Sequence, residues 1–461
     1  MTKEYKAYSF WLETSGDDLT PRPGLDGSID VDVAILGAGF SGLWTAYYLL
    51  RHEPSLRVAV VEREIAGFGA SGRNGGWCSA GFPLSAAMLE QRFGRAAARD
   101  LQCALYDTVD EVGRVVAREG IDAQYRKGGK LLVARGHHHL AALEHEYATL
   151  ERQGLSSHYQ LLDATHIAGR IHVSGAVASL FNPDCAVIHP GRLVRGLARA
   201  VERRGGAIYE GTAVTDIVEG AQPLLRTPHG DVRARTIVLA GEAYLTGLPA
   251  LHRQLLPVYS LIILTEPLSA EQWADIGWDG HECVASPRYT VDYLSRTADG
   301  RILFGGRGAP YHFGSRIVDA YDRHEATHAI LRDALVQWFP TLKGVRVTHA
   351  WGGALGMPRD WMPTMSYDAR RGVATARGYT GQGVATTNLA GRVLAQLITH
   401  TASPLLELPT VNHVSRQWEL EPLRWLGVRY VQRGLMRADA MAERSGRPPT
   451  GRTLPERLGR H

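Results

Sequence analysis

A strand, a glycine turn and a helix run together near the start of this chain, and that junction limits the fold more than any other feature. Residues 31–36 of VDVAILGAGFSGLWTAYYLLRH are nearly all apolar, as a strand buried on both faces requires, and a helix pattern opens on Gly37-Ala38-Gly39-Phe40-Ser41-Gly42. RVAVVER (57–63) is a second apolar strand, and Glu62 near its end lies 20 residues beyond Gly42. This is the full dinucleotide-binding fingerprint of a βαβ unit. Gly37 permits the tight turn, Gly39 lets backbone approach a pyrophosphate, and Gly42 lets helix and strand pack closely. Phe40 and Ser41 open the helix, whose unpaired N–H groups turn a partial positive charge toward the phosphates. Glu62 would accept hydrogen bonds from a ribose 2′-hydroxyl and repel a 2′-phosphate, which argues against NADP.

Two more glycine-rich segments follow. Gly67-Phe68-Gly69-Ala70-Ser71-Gly72-Arg73-Asn74-Gly75-Gly76 comes after the second strand, where a plain NAD-binding fold needs no long loop. It reads either as backbone laid along a long ligand, with Arg73 and Asn74 as polar hooks, or as a flexible surface loop. Gly378-Tyr379-Thr380-Gly381-Gln382-Gly383 leads into a helix at about Val384 and offers either another positive helix end or an ordinary glycine cap.

At 461 residues the chain suits two interleaved domains or one large one. The order of strand and helix patterns points to an α/β protein: a Rossmann-like dinucleotide-binding domain built from discontinuous segments (27–85, 160–250 and 350–405) and an inserted α+β substrate domain with a mixed or antiparallel sheet (86–159 and 251–349). An ADG turn at 298–300 marks a hairpin in the inserted part, and 86–119 reads as one long helix. Residues 406–461 read as a basic helical extension, either a solvated tail or a partner contact. The net charge of +4 gives no reason to expect nucleic acid. Four scattered cysteines without a CxxC pair suggest neither zinc nor a disulfide framework and fit a reducing cytoplasm. The first residues lack a signal-peptide pattern, and the longest apolar run, near Val258–Leu264, is too short to cross a bilayer. No Ser/His/Asp triad, P-loop or metal-ligand cluster is visible.

GAGFSG, GFGASGRNGG, VIHPGRL, RTADGRILFGG and GYTGQGVATTNLAGR together resemble, in the same order over about residues 10–405, the D-amino-acid-oxidase-like (DAO) family of FAD-dependent oxidoreductases, above all its gamma-glutamylputrescine oxidase branch. The resemblance implies FAD as cofactor. It implies that Gly37, Gly39 and Gly42 hold the pyrophosphate and that Glu62 and Arg63 lie at the adenosine. Gly69, Ala70, Ser71, Arg73, Asn74, Gly75 and Gly76 would wrap the ribityl–pyrophosphate and the flavin edge. Val214 would pair its backbone with adenine, Ala240 and Gly241 would pass the cofactor at a strand end, and Gly381, Gln382, Gly383 and Val384 would face the flavin pyrimidine. Relatives with covalent FAD use a cysteine or a histidine. The stretch after Trp351-Gly352-Gly353 has no cysteine here and RNGGWCSAG has no histidine, so a non-covalent flavin is expected. The sarcosine-oxidase branch places one lysine near flavin N5, where this hairpin has Leu303. It places another just after the terminal glycine loop, where this chain has Ala385.

The resemblance further implies oxidation of a small primary or secondary amine, by hydride transfer to flavin N5. The imine would hydrolyse to a carbonyl product, and O2 would reoxidise the flavin to give H2O2. A dehydrogenase with another electron acceptor, or a non-catalytic FAD-binding subunit, are the alternatives. Candidate substrate-site residues are Tyr259, Tyr293, Trp351, Trp361 and His189. Ring faces attract an amine cation, although each of these side chains could equally be core. Arg288 and Arg307 are weaker candidates to meet an anionic substrate tail. A monomer or homodimer without nucleic-acid or membrane partners is expected.

Overall fold

The computed structural model describes residues 3–307 and 311–459, and of Arg307 only the backbone. The apolar runs form a six-stranded sheet in the order Thr364–Asp368, Val373–Arg377, Thr236–Leu239, Val33–Leu36, Val58–Val61, Ala207–Tyr209. All neighbours are parallel except the first pair. Val58–Val61 and Thr236–Leu239 are buried at every residue, which is why they read as continuous apolar runs and not as alternation. Helices Phe40–His52 and Gly383–Ile398 pack against each other over this sheet. A Cβ on Gly391 would come 2.6 Å from Trp44 Cβ, so the glycine sets how closely the two helices approach.

A second sheet has eight strands, in the order Val347–Met357, Leu256–Thr265, Ile302–Arg307, Asp292–Arg296, Cys283–Ala285, Lys130–Arg135, Ala176–Asn182, Gln160–Asp163. Only Cys283–Ala285 and Lys130–Arg135 pair in parallel. The ADG hairpin forms as its turn chemistry dictates, with Arg296 opposite Ile302. Helix Glu325–Trp338 lays Leu331, Leu335 and Trp338 on this sheet, against a core that holds Phe304, Ile263 and Leu294.

The sheets differ from the sequence expectation in two ways. Strands Gln160–Asp163 and Ala176–Asn182 pair onto Lys130–Arg135, and Val347–Met357 is the edge strand along Leu256–Thr265. Boundaries at 160 and 350 therefore fall inside the larger sheet, and the chain leaves it later, after Asn182 and after Met357, where Pro183, Pro190 and Pro358 stand. The expected long helix is broken at Gly94, φ +84°, into Ala86–Phe93 and Arg95–Glu119. The C-terminal part is helical over Leu423–Ser445 and Leu454–Leu458, and it is docked. Buried Asp439 accepts from the backbone N–H of Tyr289 (3.1 Å) and Thr290 (2.8 Å), and Arg288 pairs with Glu443 at 3.0 Å. Arg288 is thus committed to the extension, while the Arg307 side chain lies outside the described residues. Among the described residues, no helix is long and apolar enough to cross a membrane, and no His/Cys/Asp/Glu group could hold a metal.

Candidate cofactor site

The cleft opens at the carboxyl ends of the parallel strands, where Leu36, Val61 and Ala240 point chain ends at one space. This is where open α/β sheets bind ligands. The first wall is the glycine turn. Gly37 takes φ +105°, and a Cβ there would lie 2.8 Å from the Ala240 carbonyl oxygen. A Cβ on Gly42 would lie 1.9 Å from the Gly37 carbonyl oxygen, so helix and turn are in direct backbone contact. Gly39 caps the helix with no side-chain bond, and a Cβ on it would lie 3.0 Å from Ser71 Oγ. The Phe40 N–H donates to that hydroxyl at 2.8 Å, tying the first loop to the second.

The second wall is the N-terminus of Gly383–Ile398, reached through Gly381 at φ +91° and also without a side-chain cap. Ser41 Oγ donates to Tyr379 Oη at 2.9 Å and joins the two walls. Two helix ends whose own cap residues give no side-chain bond, the first with only its Phe40 N–H taken by Ser71, suit a ligand with a pyrophosphate and a second electron-rich end. Between them, Glu62 Oε2 accepts from the Ala38 N–H at 2.9 Å and Oε1 from the Glu64 N–H at 3.0 Å. Each oxygen keeps a lone pair for a ribose hydroxyl. Burial raises the pKa of this carboxyl above its ordinary value, against the two amide bonds. Arg63 stands over the Tyr244 ring at 5.3 Å. Counted out to its open mouth, the cleft encloses about 1280 Å³.

Most of the expected residues meet here. Gly37, Gly39, Phe40, Ser41, Glu62, Arg63, Gly69, Ala70, Ser71, Asn74, Val214, Ala240, Gly241, Gly381, Gly383 and Val384 all line the cleft. Gly42, Arg73, Gly75, Gly76 and Gln382 do not. Arg73 is turned away and buried at 2% exposure. Its Nε donates to the Phe68 carbonyl at 2.7 Å, its Nη1 pairs with Asp322, and its guanidinium lies over the rings of Phe68 and Tyr8 at 4.3 and 4.9 Å. Gly75 makes room for Tyr293, whose Cε2 would be 2.4 Å from a Cβ there, and Gly76 (φ +75°) makes room for the Ile188 carbonyl at 2.7 Å. Gln382 faces Gly81. Asn74 lines the cleft, but its amide closes its own loop onto the carbonyls of Ala70 and Ser71. The loop is also stitched from outside, by Ser9 Oγ to the Gly72 carbonyl and Trp11 Nε1 to the Asn74 carbonyl, both at 2.7 Å.

Sequence reasoning missed Thr212, Glu242, Tyr244, Tyr379 and Thr387, and the apolar lining by Leu36, Val61, Phe68, Leu245, Leu248, Ala354 and Leu355. Glu242 carried a usable signal, a charged residue one step after the strand-end pair Ala240-Gly241. The five substrate-side candidates do not line the cleft. Tyr259 is 1% exposed, in the core of the larger sheet, with its ring edge-on to His312 and Tyr321. Trp351 is 2% exposed among Phe10, Trp11 and Leu303, and its indole donates to the Arg73 carbonyl at 2.9 Å. Trp361, at φ +64°, packs beside the cluster of Met357 and Trp418. His189 caps helix Pro190–Arg203, its Nδ1 accepting from the Arg192 N–H at 3.2 Å, with Nε2 3.0 Å from Thr14 Oγ1. Burial lowers its pKa to about 4. None of these four side chains reaches the cleft: Tyr259 and Trp351 are buried in the core, His189 caps a helix and Trp361 is half-buried beside a core cluster. Tyr293 lies against Gly75 of the second loop and Gly305 of the facing hairpin, with its hydroxyl 3.0 Å from Ser260 Oγ.

The glycine cradle, the two helix ends and the Glu62 acceptor fit FAD. Comparison with known proteins agrees. Residues 32–397 match the family described as FAD dependent oxidoreductase (DAO). The chain is 34% identical over 392 residues to gamma-glutamylputrescine oxidoreductase of Escherichia coli K12, covering 85% of this chain and 88% of that protein. It is 23% identical over 391 residues to sarcosine oxidase subunit beta of Rhodobacter capsulatus, covering 81% and 86%. The fold superimposes on glycine oxidase from Geobacillus kaustophilus with a TM-score of 0.67 at 21% identity, covering 84% of this chain and 100% of that one. The chain thus belongs to the DAO family of FAD-dependent oxidoreductases, and FAD is the cofactor its cleft is built for.

Proposed function

We propose that the protein oxidises a small primary or secondary amine that carries no α-carboxylate. One observation carries this reading. On the side of the cleft formed by Ala354, Leu355, Tyr379, Gly381, Gly383, Val384 and Thr387, no lysine or arginine lines the wall among the described residues, which leave out the Arg307 side chain. The cationic side chain that does line the cleft, Arg63, follows the strand Val58–Val61, two strands away across the sheet from Thr236–Leu239. A carboxylate desolvated beside the flavin without a paired cation would cost at least several kcal/mol. The relative named for gamma-glutamylputrescine supports an amine.

Bound FAD supplies the two-electron chemistry. The chain's own residues bind and orient. The two helix ends stabilise negative charge on the ligand, and Glu62 fixes the ribose. Ser41 and Tyr379 hold the walls at a set distance, and Tyr293 with Ser260 forms a polar, aromatic surface beside the second loop. The amine cation gives up its proton to solvent before its C–H bond breaks, and the imine leaves and takes up water to give a carbonyl compound and an amine or ammonia. O2 is the proposed electron acceptor, giving H2O2. Fully buried Leu303, packed with Phe10, Trp11 and Trp351, leaves no cation at that place and favours a second reading, a dehydrogenase with another acceptor.

No cysteine or histidine is among the described residues lining the cleft, and Cys78 is buried in the two-stranded antiparallel pair of Trp77–Ser79 with Cys185–Val187, which supports a non-covalent flavin. Acid precipitation should leave all the flavin in the supernatant and the intact mass at that of the bare chain; yellow protein in the pellet would refute this. The four cysteines are unpaired, in keeping with a cytoplasmic enzyme. The decisive experiment is anaerobic bleaching of the flavin by polyamines, N-methyl amines, acylated diamines and amino acids, followed by admission of air. Amines should bleach it fastest. If sarcosine, glycine or a D-amino acid gives a higher kcat/KM than every amine, the reading fails. Slow recovery in air with fast recovery by an artificial acceptor selects the dehydrogenase.

A further inference from the structure

Glu242 lies in the cleft wall, and no step above uses it. It follows strand Thr236–Leu239 after Ala240 and Gly241, at φ +48°, a left-handed conformation that a non-glycine residue keeps only where its surroundings demand it. The demand is visible. Its Oε2 accepts from the Gly378 N–H at 2.8 Å, and its Oε1 from the Gly356 N–H at 3.1 Å. A Cβ on Gly356 would lie 2.9 Å from Oε1, so the strand presses directly on the carboxylate. One side chain thereby joins three segments far apart in sequence. They are the end of an inner strand of the six-stranded sheet, the edge strand of the eight-stranded sheet, and the loop that opens the second uncapped helix.

We propose that Glu242 is a positioning residue for FAD: its carboxylate locks the terminal glycine loop and the edge of the larger sheet into the wall of the cleft, and its protonation unlocks one of them. A carboxylate accepts from both amides at once. A carboxylic acid turns an O–H toward one of those donors and loses that bond. The proposal rests on the FAD assignment and not on the amine. Burial pushes the Glu242 carboxyl up to about 7, against the amides of Gly378, Gly356 and Tyr379 and the charge of Arg377. Arg377 and Tyr379 are the titratable groups beside it on the loop, and Tyr244 on its own turn; Ala354, Leu355, Gly356 and Met357 on the edge strand carry none. Both tyrosines are raised by burial and stay neutral across this range. The lock therefore opens near neutral pH.

The test measures FAD dissociation constants for reconstituted wild type and Glu242→Gln between pH 6 and pH 8, with no turnover involved. The wild-type constant should rise about five- to tenfold as the pH falls from 8 to 6, as one linked proton allows. Glu242→Gln, which keeps one acceptor, should bind more weakly at pH 8 and show a flat profile. A flat wild-type profile overturns the proposal without any variant, and a variant profile parallel to wild type overturns it equally. Because binding is the readout, failure of the amine reading leaves this result standing.

Discussion

The first glycine turn and the aromatic region about the strand Val347–Met357 are built differently. At the turn, backbone does the recognition. Gly37, Gly39, Gly381 and Gly383 bring chain and N–H groups to the cleft, and the positions are fixed by helix and strand geometry alone. Across the strand, side chains decide, and their rings are shared with the core: Tyr259 and Trp351 are almost wholly buried, and Tyr293 sits between Gly75 and Gly305. A backbone site tolerates no side chain where contact is closest. A side-chain site tolerates conservative change but depends on every neighbour.

Four substitutions sharpen this contrast. Gly39→Val should have the largest effect, because its side chain meets Ser71 Oγ where the pyrophosphate must approach. FAD affinity should fall ~1000-fold or more, each tenfold being about 1.4 kcal/mol, with the apoprotein still soluble. A variant that purifies fully yellow would remove the turn from the cofactor site. Asp322→Ala comes next. It strands the buried Arg73 guanidinium, and loss of one partner of a buried pair costs about 3 kcal/mol of stability. Flavin occupancy should persist in the folded fraction, as measured by denaturant unfolding beside the flavin-to-protein absorbance ratio. Loss of flavin at unchanged stability would instead make Arg73 the hook that its sequence position suggests.

Tyr293→Phe keeps the ring between the two glycines and removes the bond to Ser260. A fall of about tenfold in kcat/KM at full flavin occupancy is expected, the equivalent of one hydrogen bond lost in the transition state. Unchanged kinetics would class Tyr293 with the core aromatics. His189→Gln should be smallest, a loss of about 1 kcal/mol from the helix cap with turnover unaltered. His189 also carries a pH signature. Its folded pKa, about 4, lies below the ordinary 6.5, so the unfolded chain takes up the proton first. Wild-type stability should therefore fall as pH drops from 6.5 toward 4, and the glutamine variant should flatten that slope. An identical slope in both proteins contradicts the buried, neutral histidine.

The contrast also explains what could be read from residues alone. The turn Gly37–Gly42, Glu62 and the terminal loop at Gly381–Val384 were legible because each spacing follows from local geometry. Arg73 was not, since its direction is set by Asp322, Phe68 and Tyr8, which lie elsewhere in the chain. Tyr244 and Thr212 were hidden because a strand end without a fingerprint looks like any other. The sheet membership of Ala176–Asn182 depends on pairing with Lys130–Arg135 across two intervening helices and the strand Gln160–Asp163, and nothing in the heptapeptide AVASLFN declares it. Trp351 and Trp361 show that an aromatic near a site and an aromatic in a core have the same sequence appearance.

The packing of helix Phe40–His52 against helix Gly383–Ile398 has a consequence for biosynthesis. An emerging chain presents its first cofactor turn early, yet the opposing wall is translated only with residues 373–398. The nascent protein therefore waits with half a binding site, and pairing so distant in sequence is slow. Flavin captured as the late helix docks pulls that equilibrium toward the native form by mass action. Riboflavin supply during growth should thus set how much of the translated polypeptide survives proteolysis, quite apart from how fast each finished molecule works.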